Sequence, residues 1–252
     1  MGKKIIRAAT IGMSLNIFCN GLLKDLQQEG YDVVALSSPD ADLKELGERE
    51  GVRTVGVAME RRVSPLKDLL SLIKLISVMK KEHPDMVHSM TPKAGLLCMM
   101  AAKMANVPVR VHTFTGLVWP TSSGLSRKIL MMTDKITCAC ATHVVPEGEG
   151  VRQDLQRCIT RKPLKVLGYG NVKGVDLDYW KRQSVAVDSQ WFTFVFVGRI
   201  VREKGINELV PAFVRLNKEH TDTRLLLVVP YEENIDPVLP ETKSIIDECE
   251  AI

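Results

Sequence analysis

The chain has 252 residues, of which 45% are hydrophobic and 25% charged, with a formal net charge of +4. Its mean hydropathy is +0.01. These values exclude a disordered, collagen-like or low-complexity chain and leave room for one large domain or two smaller ones.

The elements predicted from periodicity alternate in type. Ile5 to Ile11 reads as a buried strand, broken at Gly12-Met13-Ser14, and Leu15 to Gln28 as one helix stopped by Gly30. Tyr31 to Leu36 is a strand, Asp42 to Glu50 a helix ending at Gly51, and Val52 to Val57 strand-like. Pro65 opens a long helix over Leu66 to Lys81, with proline in the first turn where its missing N–H is harmless. Asp85 to Ser89 is a strand, and Lys93 to Met104 a helix with Thr91 as its expected N-cap. Val107 to Phe114, His143 to Val145 and Leu164 to Leu167 read as strands, separated by helices over Ser126 to Ala141 and Gly150 to Cys158. Such alternation implies βαβ units and a mostly parallel sheet covered on both faces. The rhythm stops at Gly170 to Ser189, so a domain boundary is expected near residue 180, dividing the chain into 1–180 and 181–252. Beyond it a second α/β unit starts afresh, with a strand at Phe192 to Val197, a helix at Gly205 to His220 and a strand at Arg224 to Val229.

The longest apolar stretch, Ala94 to Ala105, contains Lys103 and is far short of the ~20 residues that span a bilayer. The short apolar run after the first basic residues has the length of a strand and not of a signal-peptide core, so a cytoplasmic protein is expected. The six cysteines have no disulfide-framework spacing, and Cys138-Ala139-Cys140 lacks the C-x-x-C of a zinc site, so no metal is expected. Residues 61–135 hold 12 basic against 4 acidic side chains. No aromatic residues interleave with the basic ones as stacking platforms, so nucleic acid is not expected as a partner. A solvated helix face and a lipid- or phosphate-facing surface both fit this excess.

Ligand sites in doubly wound sheets lie beyond the C-terminal ends of the strands. That rule selects Gly12 to Asn16, Ser89 to Lys93, Thr115-Gly116, Glu147, Gly170-Asn171 and Gly198 to Lys204. Gly12-Met13-Ser14-Leu15-Asn16 lacks the last glycine of a G-x-S-x-G nucleophile elbow. It fits helix N–H groups facing an anion, or a plain turn with Ser14 as N-cap. No G-x-G-x-x-G dinucleotide fingerprint and no P-loop occur. His88, at a strand end, fits either a site residue or a packed one. In Gly198-Arg199-Ile200-Val201-Arg202-Glu203-Lys204-Gly205 a strand delivers Arg199 to the sheet edge, and Lys204 follows at a helix start. Two fixed cations beside helix N–H groups suit a diphosphate; exposed basic loop residues are the plain alternative.

Three segments together resemble glycosyltransferase family 4. Phe194 to Gly205 resembles the opening of that family's C-terminal domain. The run from Thr91-Pro92-Lys93-Ala94-Gly95 through Val107-Pro108-Val109-Arg110 to Thr115-Gly116-Leu117 is similar to its N-terminal domain. Gly168 to Asp176 resembles its hinge. The resemblance is to bacterial enzymes that build capsular, O-antigen and other lipid-linked glycans. It implies a GT-B fold, in which a Rossmann-like, doubly wound N-terminal domain is followed by a second Rossmann-like domain that is incomplete in this chain. It further implies a retaining, metal-independent transfer of sugar from a nucleotide-diphosphate donor to a glycan or polyprenyl-diphosphate-linked acceptor, with no cofactor. Arg199 and Lys204 match the catalytic, diphosphate-binding pair, with Gly198 and Asn171 on the donor side. Ser14, Asn16, Lys93, Thr115, Gly116 and Glu147 fall on the acceptor side. Thr115 stands where many members have histidine, and Val229-Pro230 where relatives carry glycine. The family's E-x(7)-E donor motif lies beyond Ile252, so this chain by itself is expected to be inactive. Two strands with one full crossover helix leave an exposed sheet edge, so the tail past residue 190 is expected to be less stable than residues 1–180, or to borrow cover from the first domain. A binding module that holds acceptor without transfer, and a GT-B-fold sugar-nucleotide epimerase, are the alternatives. Related enzymes work at the inner membrane face, so Arg61, Arg62, Lys67, Lys74, Lys80, Lys81, Arg127, Lys128 and Lys135 are expected to contact anionic lipid there.

Overall fold

The computed structural model describes residues 2–60, 64–170, 174–181, 190–228 and 237–252. Arg61, Arg62, Asn171 and Val229-Pro230, singled out above, lie outside the described residues. The chain divides into two compact units, Met1–Asp176 and Leu177–Ile252.

The first unit holds six parallel strands: β1 (Lys4–Ala8), β2 (Asp32–Ser37), β3 (Arg53–Gly56), β4 (Met86–Met90), β5 (Val109–Phe114) and β6 (His143–Pro146). Their order is β3-β2-β1-β4-β5-β6. The chain therefore winds outward from β1 in one direction, returns, and continues from β4 in the other. The reversal leaves a crevice beyond the ends of β1 and β4. In β2 every residue after Asp32 is buried, as expected of a strand covered on both faces.

On one face lie α1 (Gly12–Phe18), α2 (Leu22–Gln28) and α3 (Ala41–Glu50). They cover Ala9, Val33 and Ala35 with Leu15, Leu23 and Leu46. The single helix expected over Leu15 to Gln28 is two. Gly21, at φ +82°, takes a left-handed conformation that ends the run, and the buried Glu50 carboxylate accepts the N–H groups of Gly21 (2.9 Å) and Lys24 (3.3 Å) that open α2. Asp40 caps α3 by accepting from Leu43 N at 2.8 Å, and Gly51 closes it in the left-handed region.

On the other face lie α4 (Pro65–Glu82), α5 (Pro92–Met104) and α6 (Gly124–Cys140). α5 is apolar nearly all round and packs against both α4 and α6. α7 (Glu149–Cys158) follows β6. Leu164 to Leu167, expected as a strand, joins no sheet.

The second unit pairs β7 (Phe192–Val197) with β8 (Thr223–Val228) in parallel, joined by α8 (Ile206–Glu219) and followed by α9 (Pro240–Glu248). Ile200, Ile206 and Val210 form its core, with Phe196, Leu227 and Ile245 against them. Val195, Val197, Leu226 and Val228 are exposed on the opposite sheet face.

Candidate functional site

The crevice beyond β1 and β4 is built by two threonines. Thr10 and Thr91 share a hydroxyl–hydroxyl hydrogen bond of 2.8 Å, and Thr91 Oγ1 also accepts from Thr10 N at 3.1 Å. Thr91 stands at the N-cap of α5, as expected, and its carbonyl accepts Gly95 N at 2.8 Å, but it has φ +68° and ψ 143°, and its hydroxyl makes no cap bond. A β-branched residue in that region is strained, and such strain persists only where the surroundings over-determine it.

At the start of α1, Gly12 N donates to Asp40 Oδ2 at 2.9 Å. A Cβ on Gly12 would stand 2.2 Å from Asp40 Oδ1 and 2.3 Å from Leu43 N, so only glycine lets the two helix starts meet. The N-cap of α1 is Ile11, not Ser14, which lies half-buried in the first turn. Asn16, one turn on, donates to Asp42 O at 3.2 Å and so ties α1 to α3. Lys93 Nζ is held by Asp68 at 2.8 and 2.9 Å, a largely buried pair joining α5 to α4.

Beyond β5 lies a shallow pocket, open to solvent and lined by Thr91, Thr113, Thr115, Gly116, Trp119 and Asp134, among others. Thr113 ends a polar relay within the sheet. Arg7, 5% exposed, donates to His88 Nδ1, and His88 Nε2 lies 2.8 Å from Thr113 Oγ1. A guanidinium only donates, so His88 Nδ1 is the acceptor, Nε2–H donates to Thr113, and the imidazole is neutral. Burial first, then the Arg7 charge, holds the His88 pKa well below its usual range. His88 is thus a packed residue that leaves the Thr113 hydroxyl hydrogen able to face the pocket.

Thr115 and Gly116 follow β5, and Glu147 follows β6; Glu147 N donates to Phe114 O at 3.1 Å. Gly116 has φ +126°, and a Cβ there would lie 3.8 Å from Glu147 Oε1. Burial raises the Glu147 pKa. Gly170 sits on Glu147, where a Cβ would come within 2.7 Å of its carbonyl oxygen. Thr115, Gly116 and Glu147 are therefore brought together, whereas Ser14, in the first turn of α1, and Asn16, beside Asp42, stand on the other branch.

Sequence reasoning missed Trp119 and Asp134. Trp119 is 2% exposed, and its Nε1 has no hydrogen-bond partner among the described residues. Burial pushes the Asp134 carboxyl up to about 6; the nearby indole N–H opposes the rise without completing a bond. A signal existed, since Asp134 is the sole acid in α6 among arginine and lysines. Arg127 of the same helix stacks over Trp119, 5.4 Å from the ring centroid.

In the second unit, Gly198 follows β7, Arg199 pairs with Glu203 Oε1 at 2.5 Å, and a 3-10 turn, Arg202–Lys204, leads into α8. Lys204 is exposed, and Gly205, at φ +75°, turns the chain into the helix.

A doubly wound parallel sheet followed by a second α/β unit, with sites at the strand ends, defines the GT-B fold class. The chain belongs to the glycosyl transferase 4-like domain family, whose profile matches residues 15–170. It is 29% identical over 245 residues to the capsular polysaccharide biosynthesis glycosyltransferase CapM of Staphylococcus aureus, covering 93% of this chain and 63% of the relative. It is 31% identical over 157 residues to an Escherichia coli UDP-Gal:alpha-D-GlcNAc-diphosphoundecaprenol alpha-1,3-galactosyltransferase, covering 57% of this chain and 39% of the relative. The chain thus spans less than two thirds of the length of either. Among solved structures, the sucrose-phosphate synthase of Thermosynechococcus elongatus superposes with a TM-score of 0.70 at 17% identity, over 97% of this chain and 67% of that one.

Proposed function

We propose that this chain serves a glycosyltransferase of surface-polysaccharide synthesis, which moves a sugar from a nucleotide-diphosphate donor to a glycan or polyprenyl-diphosphate-linked acceptor. The single observation that carries this reading is Arg199 at the end of β7 with Lys204 on the turn before α8. Two cations beside a helix start favour the charge that builds on a departing diphosphate, which is electrostatic stabilisation of the transition state. The names of the two relatives, a capsular glycosyltransferase and a UDP-galactose-dependent enzyme acting on a diphosphoundecaprenol glycan, support the donor and acceptor classes. The first unit takes the acceptor. Thr115, Gly116 and Glu147 contact it, with the Asp134 carboxylate offering a hydrogen-bond acceptor to sugar hydroxyls. In a retaining transfer the acceptor oxygen bonds the anomeric carbon on the face the diphosphate leaves. The hydroxyl proton passes to the departing phosphate oxygen, and Arg199 and Lys204 neutralise that group with no metal required. Lys93, committed to Asp68, and Asn16, committed to Asp42, position helices.

The test is transfer of labelled sugar from a panel of UDP-sugars to an undecaprenyl-diphosphate-linked monosaccharide, run on this chain and on a version carrying a complete donor domain, with Arg199→Ala and Lys204→Ala alongside. Transfer that both substitutions abolish supports the reading. Acceptor binding without transfer from any donor points to a binding module instead, and conversion of a UDP-sugar without acceptor points to an epimerase.

A further inference from the structure

Arg7, His88 and Thr113 form a polar row across the sheet that packing alone does not call for. Arg7 and His88 are register partners on β1 and β4. His88 pairs in turn with Val111 of β5, and Thr113, two residues further on, lies on the same sheet face. The row thus runs from the middle of the sheet to the C-terminal end of β5, where the pocket opens. Arg7 is the costly member. It is buried within a strand whose Ile5, Ile6 and Ala8 are buried apolar residues. Its guanidinium meets only neutral groups, His88 Nδ1 and Cys19 Sγ, and its Nε has no hydrogen-bond partner among the described residues. A buried cation without a counter-charge is unfavourable, and an apolar side chain of similar size would fill that place at lower cost.

What an apolar side chain cannot do is fix the imidazole. Arg7 only donates, so the His88 proton stays on Nε2 and is given to Thr113 Oγ1 at 2.8 Å. With the proton on Nδ1 instead, Nε2 would accept, and the Thr113 hydroxyl would spend its hydrogen on the ring. Arg7 therefore decides the polarity of a hydroxyl at the pocket. Thr91 and Thr133 also line the pocket, but Thr91 is bonded to Thr10 and Thr133 donates to Leu130 O at 2.8 Å. The hydrogen of Thr113 is given to no acceptor among the described residues.

We propose that Thr113 is a specificity-determining residue, donating a hydrogen bond to one hydroxyl oxygen of the acceptor sugar, and that Arg7 and His88 are positioning residues that set the direction of this bond. The proposal rests on the assignment of the pocket to the acceptor. Thr113 and the Asp134 carboxylate ask opposite things of a ligand, a lone pair at one and a hydroxyl hydrogen at the other. A sugar ring with several hydroxyls supplies both.

The experiment has two readouts on the full chain, with thermal melts to establish that each variant is folded. Nitrogen-15 NMR of the histidine rings at pH 7 is expected to show His88 neutral with its proton on Nε2 in the wild type and in Arg7→Lys, and the Nδ1–H form emerging in Arg7→Met. Titration then uses farnesyl-diphosphate-linked N-acetylglucosamine and its 3-deoxy, 4-deoxy and 6-deoxy analogues. Thr113→Val is expected to weaken binding of the parent probe about three- to ten-fold, while Thr113→Ser, which keeps the hydroxyl, binds as the wild type does. One deoxy analogue is expected to cost the wild type that same factor and to cost Thr113→Val nothing further. Arg7→Met is expected to weaken binding in the wild-type background and not in the Thr113→Val background, a coupling that a merely structural role of Arg7 would not produce. Three results overturn the proposal: Thr113→Val binding as tightly as the wild type, a wild-type His88 protonated on Nδ1, or losses from Arg7→Met and Thr113→Val that add. Failure of the wild-type chain to bind the parent probe overturns the acceptor assignment and the proposal with it, an outcome distinct from wild-type binding that ignores Thr113.

Discussion

Thr10 and Thr91 join the ends of β1 and β4 through one 2.8 Å hydrogen bond between their hydroxyls, at the point where the strand order reverses. The same Thr91 oxygen accepts the Thr10 N–H, and Thr10 Oγ1 in turn accepts Ala94 N at 3.3 Å. The crevice is thus closed by side-chain hydroxyls while Thr91 bears the cost of φ +68°. Thr91→Val keeps the strain and removes the hydroxyl. It leaves a buried N–H unpaired and is expected to destabilise the first unit by about 1–3 kcal/mol. Thr91→Gly loses the same bond but relieves a strain of about 1–3 kcal/mol, and is expected to lie near the wild type. Urea unfolding of both variants checks this, and a glycine variant as unstable as the valine one counts against strain.

Gly95 and His112 give a second test. A Cβ on Gly95 would lie 2.3 Å from His112 Cε1 and 2.8 Å from each ring nitrogen. The ring is 1% exposed, fixed by Ser89 Oγ at 2.9 Å from Nδ1 and edge-on to Phe114. Helix propensity favours alanine over glycine by about 1 kcal/mol. Overpacking costs about 1–3 kcal/mol and loss of the Ser89 bond about 1–3 more. Gly95→Ala is therefore expected to be less stable by about 2 kcal/mol, with the cost shrinking in a His112→Ala background. Additive costs in the double variant would show that the two residues do not meet.

The sheet was legible from the sequence because parallel strands buried on both faces leave unbroken apolar runs, and β2 falls within a residue of its expected place; β7 carries the same apolar run and falls where expected, although Val195 and Val197 on its open face are exposed. The split between α1 and α2 was not, because the helical period of Leu15, Cys19, Leu22, Leu23 and Leu26 continues across Gly21. What breaks it is a contact with Glu50, 29 residues away. The Thr91 hydroxyl reads as a capping group for the same reason: its partner, Thr10, is 81 residues distant. Strand-end rules found Thr115, Gly116 and Glu147. They passed over Asp134 and Trp119, which reach the pocket from α6 and from a 3-10 turn.

Arg199 is engaged by Glu203, both partly exposed. A diphosphate arriving at Arg199 competes with that carboxylate. Arg199→Ala and Lys204→Ala are each expected to cut transfer about 10²–10³-fold. Glu203→Gln is expected to do the opposite and tighten donor binding. An exposed pair of this kind contributes about 0–1 kcal/mol, which limits the gain to roughly five-fold. Transfer assays measure the first effect, and titration of a UDP-sugar into the three variants measures the second. Weaker binding in Glu203→Gln would mean that Glu203 itself contacts the donor.

Asp134 makes stability depend on pH. Burial raises its carboxyl from the usual 3.8 to about 6. The folded protein then binds that proton more tightly than the unfolded chain does. The linked stability is fully present below the unfolded value and is lost as pH rises through about 6. Asp134→Asn fixes the neutral form. It is expected to match the wild type near pH 4 and to be the more stable protein at pH 7.5. About two pKa units correspond to roughly 3 kcal/mol, reduced to about 1–2 kcal/mol because the group keeps some contact with water. The gap is expected to open between those two pH values and to hold its size above pH 7. Urea unfolding at pH 4, 6 and 7.5 measures it, and a difference independent of pH would place the Asp134 charge in solvent instead of against the buried Trp119 indole.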